Sequence, residues 1–361
     1  MRDSGCNRYG VASTRHVGEH PRLRVVTLII SLDPKAGGVN SQEALVQAIR
    51  IHSFGGPEVL TIDEIAVPDL LPGEILIRIG AASVNPVDYK IRRGGYPKIT
   101  AAQLPITLGR DICGVSETEL TGDTRLPPGE GWAKGDAVYA LLDWRLGGYA
   151  EYVALPSAFC APKPKLLSTV ESAAVPLAAL TAWQGIFDCG GLVSGQTILV
   201  HAAAGGVGHF AVQFAKAAGA YVFATAAAEN IEFVRQLGAD VVIDYKVQRF
   251  EDTAKNLDVV FDLVGGETRD RSWQTLRRGG ILVSTLGQPD EAKATQYGVR
   301  AKGYTAQPNR GQLIEIGRLI DSNKVRPTVT RSYPLEAARE AQTFLESSHP
   351  RGKVILAVAP V

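Results

Sequence analysis

The fold is decided by residues 197–219, TILVHAAAGGVGHFAVQFAKAAG, where an apolar run, a small-residue turn and an amphipathic pattern follow one another. Thr197–His201 is short, apolar and bounded by Gly195, which predicts a buried strand. After the turn, apolar residues recur with the period of a helix that ends at Gly219: Phe210, Ala211, Phe214, Ala215 and Ala218. The stretch therefore predicts a strand, a tight turn and a helix.

The same alternation continues on the C-terminal side. We predict further strands at Tyr221–Ala224, Val241–Asp244, Val259–Leu263 and Ile281–Thr285, with a helix at Asn230–Leu237. Continuous apolar strands that alternate with helices are typical of a parallel sheet covered on both faces. We therefore predict an α/β, doubly wound parallel-sheet domain over residues 164–323.

The regions before and after residues 164–323 show a different sequence pattern. Strand-like runs separated by Gly and Pro turns, such as Glu74–Ile79 and Ala137–Leu142, indicate a β domain before the α/β domain, and Lys353–Val358 resembles them after it. We predict one discontinuous β domain, residues 44–163 and 324–361, with the α/β domain inserted. Residues 1–43 lack sustained periodicity, and we expect a poorly ordered N-terminal extension.

The composition excludes several classes of protein. The 361 residues are 45% hydrophobic, which excludes a disordered chain, and the net charge of +1 provides no field for nucleic acid. No run approaches the roughly 20 apolar residues that span a membrane. The 4 cysteines are scattered, which favours free thiols and a cytoplasmic location.

The turn has the features of a phosphate-binding site. Small residues let a backbone approach a pyrophosphate closely, and a helix N-terminus offers free N–H groups to an anion. Aligned on GxGxxG, the glycine positions fall on Ala203, Gly205 and Gly208, with Gly206 and Val207 between the last two. A turn that only links a strand to a helix is the alternative, but the second strand–helix unit favours a dinucleotide.

The end of the second predicted strand indicates which dinucleotide binds. An acidic residue there usually holds the ribose 2′-OH of NAD, but Ala224–Ala228 contains no carboxylate and the first is Glu229. The absence of a charge that would repel a 2′-phosphate favours NADP. No Arg or Lys lies at this strand end to support that choice.

Several motifs resemble one known family, the zinc-independent quinone oxidoreductases of the medium-chain dehydrogenase/reductase superfamily. The match extends from about residue 46 to 356 and rests on Val84–Asp88, Leu108–Asp111, Gly147–Tyr152, Val175–Ala182, the turn at Ala202–Gly208, Gly238–Asp240 with Asp244–Tyr245, and His349–Lys353. The resemblance implies a GroES-like β domain, a Rossmann domain, NADPH in the cleft between them, and a homodimer.

The resemblance also implies which residues form the site. Asn85 lies at the nicotinamide end and donates to the nicotinamide or to a substrate carbonyl, Lys90 supplies charge or a proton to an enolate, and Tyr89 walls the pocket. Thr225 and Tyr245 surround the adenosine phosphate, and Lys353 reaches the cofactor. For Asn85, Lys90 and Tyr89 the alternatives are a turn residue, a solvated lysine and a packing tyrosine.

No metal is expected. Zinc-dependent relatives carry Cys and the triplet GHE where this chain has Asn85 and Gly109–Asp111, and neither Asn85 nor Arg110 is a zinc ligand. Without a Lewis acid, the chemistry that fits is hydride addition to a quinone or an activated alkene. We therefore predict an NADPH-dependent quinone or enone reductase; the alternatives are an enoyl-thioester reductase and a dinucleotide-binding protein with little turnover.

Overall fold

The computed structural model describes residues 45–361. Its strands are β1 Leu45–Ile51, β2 Leu60–Ala66, β3 Glu74–Val84, β4 Ile106–Thr107, β5 Asp111–Ser116, β6 Ala137–Leu141, β7 Tyr152–Pro156, β8 Cys160–Pro162, β9 Thr197–Val200, β10 Tyr221–Ala226, β11 Val241–Asp244, β12 Leu257–Asp262, β13 Leu276–Ser284, β14 Arg300–Gly303, β15 Val329–Pro334 and β16 Lys353–Ala357. Its α-helices are α1 Pro86–Arg92, α2 Thr169–Ala173, α3 Pro176–Trp183, α4 Gly208–Ala217, α5 Ile231–Gln236, α6 Phe250–Thr253, α7 Gly266–Ser272, α8 Glu291–Tyr297, α9 Arg310–Asp321 and α10 Ala338–Ser348.

The α/β half contains one parallel sheet in the order β11-β10-β9-β12-β13-β14. This is the strand order of a dinucleotide-binding Rossmann sheet. Both faces of β9 are buried, because Ile198 and Val200 pack into one core cluster and Leu199 into another. The predicted doubly wound sheet is confirmed, and the quoted stretch folds as β9, the turn and α4.

The β half contains an antiparallel core around the long strand β3. The sheet order is β15-β16-β3-β5-β6-β8, with β7 also paired to β3, while β1, β2 and β4 form a small separate sheet. Because β15 and β16 follow the α/β half in sequence, this sheet joins segments from before and after that half. On these strand positions we propose domain limits of 44–163 with 324–361, and 164–323; the predicted extension over residues 1–43 lies outside the described residues.

Strand register brings three distant residues to one point. β16 pairs with β3 through Val354 opposite Val84, so Lys353 lies next to the residue that follows β3, Asn85. β5 pairs with β3 through Ile112 opposite Ala82, so Asp111 lies opposite Ser83. The β domain therefore presents a polar cluster at one end of β3.

The helices of the described chain are short. The longest α-helix, α9, has 12 residues. Within residues 45–361 no helix is long and apolar enough to cross a membrane.

Candidate active site

The turn between β9 and α4 is tightly packed. Ala202 has a left-handed backbone (φ 49°), and Gly205 N–H donates to Ala202 O over 3.0 Å. A Cβ on Gly208 would lie 2.3 Å from Ala202 O and 2.7 Å from Ala203 Cα, so α4 can approach the turn only with glycine there. The predicted third glycine is therefore required by packing, and α4 begins directly at this glycine.

The turn is joined to the start of β16. Gly352 N–H donates to Ala204 O over 2.9 Å, and a Cβ on Gly206 would come within 3.1 Å of Lys353 Cδ. His209, on α4, accepts from Thr328 N–H over 3.2 Å. Burial lowers the pKa of His209 to about 4, so its imidazole is neutral and can accept this bond. These contacts place the side chain of Lys353 beside the turn.

Thr225 and Tyr245 occupy different positions at the second strand end. The Thr225 hydroxyl is buried and lies 3.1 Å from His201 Nδ1, and it accepts from Ala202 N–H over 3.3 Å. Thr225 therefore supports the turn from inside. Tyr245 follows β11 and is 56% exposed beside the end of β10, so its ring is open to a ligand at this edge.

Two cations that no local sequence pattern indicates lie at the same edge. Arg351 Nε donates to Asn230 Oδ1 over 2.5 Å, and its Nη2 donates to Glu229 O. Lys246 forms an ion pair with Glu229 over 3.7 Å. Arg351 precedes β16 and is 122 residues from Glu229 in sequence, which is why no local pattern indicates it. The end of β10 has no Arg or Lys of its own, but folding brings the positive charges of Arg351 and Lys246 next to it.

Asn85 is the centre of the buried polar cluster of the β domain. Only 3% of Asn85 is exposed. Its Nδ2 donates to Asp111 Oδ1 over 3.0 Å and to Ser83 O over 3.2 Å, and its Oδ1 accepts from Lys353 Nζ. Because both ends of the amide are engaged within the chain, the geometry favours a positioning role for Asn85 over direct donation to a substrate.

Lys353 and Asp111 carry the charges of this cluster. Lys353 Nζ lies 3.9 Å from Asp111 Oδ2, and both side chains are buried. Asp111 also accepts from Ser83 Oγ over 2.5 Å and from Leu177 N–H over 3.1 Å. Burial lowers the pKa of Lys353, an effect that Asp111 opposes. The ammonium is thus held between the turn and Asn85, with donors left for a bound group.

A second carboxyl group lies directly beneath Asn85. Asp88 Oδ2 accepts from Asn85 N–H and from Tyr149 Oη–H, each over 2.8 Å. Burial raises the pKa of Asp88 to about 7, against the opposing effect of these two donors. The pKa of Tyr149 is raised well above its usual value by burial and by Asp88. Asp88 therefore keeps its proton to a higher pH than an ordinary aspartic acid does.

Lys90 and Tyr89 lie apart from the cluster. The Arg93 guanidinium is 5.7 Å from the Tyr89 ring centroid, and burial followed by nearby Glu346 raises the pKa of Tyr89. Lys90 is exposed on α1, and within residues 45–361 its side chain makes no hydrogen bond or ion pair. The structure therefore does not bring these two residues together with Asn85 and Lys353.

A cavity of about 370 Å³ lies where the two domains face each other. From the β domain it is lined by Tyr96, Pro97 and Lys98; from the Rossmann sheet it is lined by Thr285, Gly287, Gln288, Gly303, Tyr304 and Thr305. The Rossmann residues follow β13 and β14 or end β14. The carboxyl ends of parallel strands share one edge, so the cavity lies along the same edge as the turn after β9.

A stack of aromatic and cationic groups borders the cavity. Tyr96 packs on Trp144 with ring centroids 4.6 Å apart, and Lys98 Nζ lies 5.1 Å from the Trp144 centroid. Arg110 Cζ is 3.4 Å from the same centroid. In the described part of the chain, no group of three His, Cys, Asp or Glu residues is arranged to hold a metal ion.

Comparisons with known proteins agree with this architecture. Residues 71–165 match the alcohol dehydrogenase GroES-like domain, and residues 237–356 match a family described as zinc-binding dehydrogenase. The solved structure of a quinone oxidoreductase from Coxiella burnetii superposes with a TM-score of 0.79 at 33% identity, covering 87% of this chain and 100% of the other.

Curated relatives are oxidoreductases. The chain is 32% identical to the mitochondrial NAD(P)H oxidoreductase RTN4IP1 of Mus musculus, over 88% of this chain and 91% of the relative. It is 34% identical to the chloroplastic NADPH-dependent alkenal/one oxidoreductase of Arabidopsis thaliana, over 85% and 78%. The chain is therefore an oxidoreductase and belongs to the quinone oxidoreductase family of the medium-chain dehydrogenase/reductase superfamily.

Proposed function

We propose that the protein is an NADPH-dependent reductase that transfers hydride to quinones or α,β-unsaturated carbonyl compounds without zinc. One observation carries the proposal: the glycine turn and the interdomain cavity lie along the same edge of the parallel sheet, at the ends of β9 and of β13 and β14. A dinucleotide bound across that edge presents its nicotinamide, which supplies hydride, to the cavity. The names of the relatives support the same substrate class.

The proposed cofactor residues fit a dinucleotide phosphate. Gly205 and Gly206 leave the space that a Cβ would fill, and Ala203, Val207 and Gly208 complete the turn before α4. Lys353 contributes an ammonium beside Gly206, where a phosphate or ribose oxygen can accept from it. Thr225 supports the turn through its hydroxyl group, which accepts from Ala202 N–H.

The 2′-phosphate is proposed to bind at the end of β10. Tyr245 offers an exposed hydroxyl there, and Arg351 and Lys246 offer positive charge. Their present partners, Asn230 and Glu229, are surface groups that a dianionic phosphate can replace. This charge supports NADP over NAD more strongly than the sequence did.

Charge also supports chemistry without zinc. A zinc site needs Cys, His or carboxylate ligands that face an open position. Here Asn85 Oδ1 accepts from the Lys353 ammonium, and the Arg110 guanidinium lies on Trp144 nearby in the β domain. The Lys353 ammonium and the Arg110 guanidinium bring positive charge to the positions of the zinc ligands in the relatives. This charge disfavours the binding of a zinc ion there. Asn85 is proposed to hold Lys353 in place; catalytic roles for Lys90 and Tyr89 stay predictions that the geometry does not favour.

The test is steady-state oxidation of NADPH and NADH with phenanthrenequinone, methyl vinyl ketone and crotonyl-CoA as acceptors, with and without a strong chelator. We expect turnover of the quinone or the enone, faster with NADPH and unchanged by chelation. Arg351→Ala should weaken NADPH binding about 5- to 10-fold and leave NADH binding unchanged. Loss of activity on chelation would contradict the zinc-free mechanism, turnover of crotonyl-CoA alone would favour the thioester reductase, and NADPH binding without any turnover would favour a binding protein.

Two properties implied by the family and the composition stand as predictions. We propose a homodimer, which analytical ultracentrifugation of the full chain would detect. We also propose a cytoplasmic location, which fractionation of the native cell would test.

A further inference from the structure

A path of hydrogen bonds runs from helix α7 to the turn between β9 and α4. Ser272 Oγ lies 2.7 Å from Thr268 O, on the same helix, and 2.9 Å from His201 Nε2. On the other side of the ring, His201 Nδ1 lies 3.1 Å from Thr225 Oγ1, which lies 3.3 Å from Ala202 N. His201 and Ser272 are fully buried, and Thr225 is 3% exposed. The four contacts therefore form one buried path that ends at the first residue of the turn.

The imidazole of His201 is neutral in these surroundings. Burial lowers its pKa, an effect that Asp262 opposes and Arg271 reinforces. In a neutral imidazole, one ring nitrogen carries a hydrogen and donates, while the other can only accept. The direction of the hydrogen bond on one side of the ring therefore fixes the direction on the other side.

Only one tautomer of His201 gives every hydrogen of the buried path an acceptor. When Nε2 carries the hydrogen, it donates to Ser272 Oγ, and the Ser272 hydroxyl donates to Thr268 O. The Thr225 hydroxyl then donates to Nδ1 and accepts from Ala202 N–H. In the opposite tautomer, Ser272 would donate to His201, and its oxygen would lie 2.7 Å from a carbonyl oxygen with no hydrogen between them. The Thr225 hydroxyl hydrogen would then have no acceptor among residues 45–361.

The shape of the turn depends on Ala202, where the path ends. Its φ of 49° is unfavourable for a residue other than glycine and persists only when neighbouring groups hold it. Its N–H donates to Thr225 Oγ1, and its O accepts from Gly205 N–H over 3.0 Å. The same carbonyl oxygen lies 2.3 Å from the place that a Cβ of Gly208 would occupy. The orientation of the Ala202 backbone therefore determines where the glycines of the turn and the start of α4 lie.

We propose that His201 is a positioning residue for the dinucleotide: its Nδ1 orients the Thr225 hydroxyl, which holds Ala202 N–H and so fixes the turn for the pyrophosphate. The proposal rests on the proposed function, in which this turn binds NADPH. His201 acts without touching the cofactor, because it is fully buried behind the turn. The pyrophosphate is common to NADPH and NADH, so loss of the path weakens the binding of both cofactors by the same factor.

The first test compares two buried threonines. Thr225→Val keeps the shape of the side chain and removes the hydroxyl, and we expect the Kd values of NADPH and NADH, measured by fluorescence, to rise together by about 5- to 10-fold. Thr275 is the matched control, because it is fully buried and its hydroxyl donates to Ser272 O over 2.7 Å. It precedes β13, at the opposite end of the parallel sheet from the turn.

Thr275→Val should lower Tm and leave both Kd values unchanged. Unchanged Kd values in Thr225→Val would overturn the proposal. A rise for NADPH alone would also overturn it, because it would show that the Thr225 hydroxyl contacts the 2′-phosphate and does not act through the turn.

Two substitutions of His201 separate its acceptor from its donor. His201→Asn can place an amide oxygen at the position of Nδ1, whereas His201→Gln can donate to Ser272 but leaves the Thr225 hydroxyl without its acceptor. Both variants have a smaller side chain and should lower Tm. We expect both Kd values to rise by at least about 5-fold in His201→Gln and by a smaller factor in His201→Asn. Equal rises in the two variants would show that His201 only fills space, and would overturn the proposal.

The tautomer can be observed directly by NMR of the full chain labelled with nitrogen-15. The ring signals of His201, assigned by their loss in His201→Asn, should show a protonated Nε2 and an unprotonated Nδ1. A protonated Nδ1 would overturn the proposal even if quinones are reduced. Neither the spectrum nor the Kd values require a substrate. Cofactor binding that depends on His201, in a protein that reduces no quinone or enone, would therefore contradict the reductase function alone.

Discussion

The glycine turn and the Asn85 cluster both lie next to Lys353, yet they are built differently. The turn is contained in Ala202–Gly208, and its glycines and its tight backbone are set by residues next to one another, although Thr225 and Gly352 also hydrogen-bond to it. The cluster joins Asn85 to Lys353 across 268 residues and to Asp111 across 26. The turn can therefore be recognised as a pattern, whereas the cluster exists only when β3, β5 and β16 pair. The Lys353 side chain connects the two.

The largest expected effect is at the turn. Gly206→Asp places a carboxylate where we propose that the pyrophosphate binds, within reach of Lys353, so NADPH affinity should fall about 1,000-fold or more, about 4 kcal/mol. Gly206→Ala adds a Cβ 3.1 Å from the flexible Lys353 side chain, which can move, and should cost less than about tenfold. Fluorescence titration gives both constants, and unchanged Tm shows an intact fold. Affinity within tenfold of wild type in Gly206→Asp would contradict the placement of the site.

In the Asn85 cluster, we expect substitutions of Lys353 and Asp111 to have non-additive effects on stability. Lys353→Met leaves Asp111 buried without its cation, and we expect the free energy of unfolding to fall by about 3 kcal/mol. The double variant Lys353→Met/Asp111→Asn should recover at least half of that loss, because no unpaired charge is left. Urea unfolding of the wild type, both single variants and the double variant measures the coupling. Additive losses would show that the two side chains act independently.

The smallest effect concerns pH. The pKa of Asp88 is about 7 in the folded protein against 3.8 for the unperturbed group, so the folded state holds its proton to higher pH than the unfolded chain does. This contribution to stability is present below about pH 4 and is lost as pH rises through about 7. Asp88→Asn should remove this pH dependence. Between pH 5 and pH 7 the free energy of unfolding of the variant should therefore fall by about 2 kcal/mol less than that of the wild type. An identical pH profile for both proteins would contradict a neutral Asp88.

Asp88→Asn also tests whether a change in the Asn85 cluster affects NADPH binding at the glycine turn. The neutral amide of Asp88→Asn retains the shape of the side chain beneath Asn85, so NADPH affinity should stay close to that of wild type. A large loss of affinity would mean that the charge of Asp88, and not only its hydrogen bonds, supports the cofactor site.

Local signals predicted most of the Rossmann half. Continuous apolar runs marked its buried strands, and β11 begins and ends at the predicted residues, Val241–Asp244. Other boundaries shift by a few residues; β3 continues to Val84 where the periodic run ended at Ile79, because pairing with β16 extends it. Tertiary pairing thus lengthens strands beyond what side-chain alternation shows.

The candidate site was predicted less completely. The motifs predicted the glycines and Lys353 as site residues. Arg351 lies in the same motif as Lys353 but no role is predicted for it, because its partners Glu229 and Asn230 are far away in sequence. The resemblance implies that Asn85 donates to a ligand. Only the fold shows that its side-chain amide is hydrogen-bonded to Lys353, Ser83 and Asp111. No local pattern could indicate how these hydrogen bonds are distributed.

The sequence by itself determined the parallel sheet, the turn and the kinship, because apolar periodicity and small residues act over a few positions. Only the tertiary structure decided which cations reach the end of β10, that both ends of the Asn85 side-chain amide are hydrogen-bonded within the chain, and that Tyr96, stacked on Trp144, lines a cavity shared by two domains. Charges and hydrogen-bond donors find their partners through space, and strand register sets which distant residues meet.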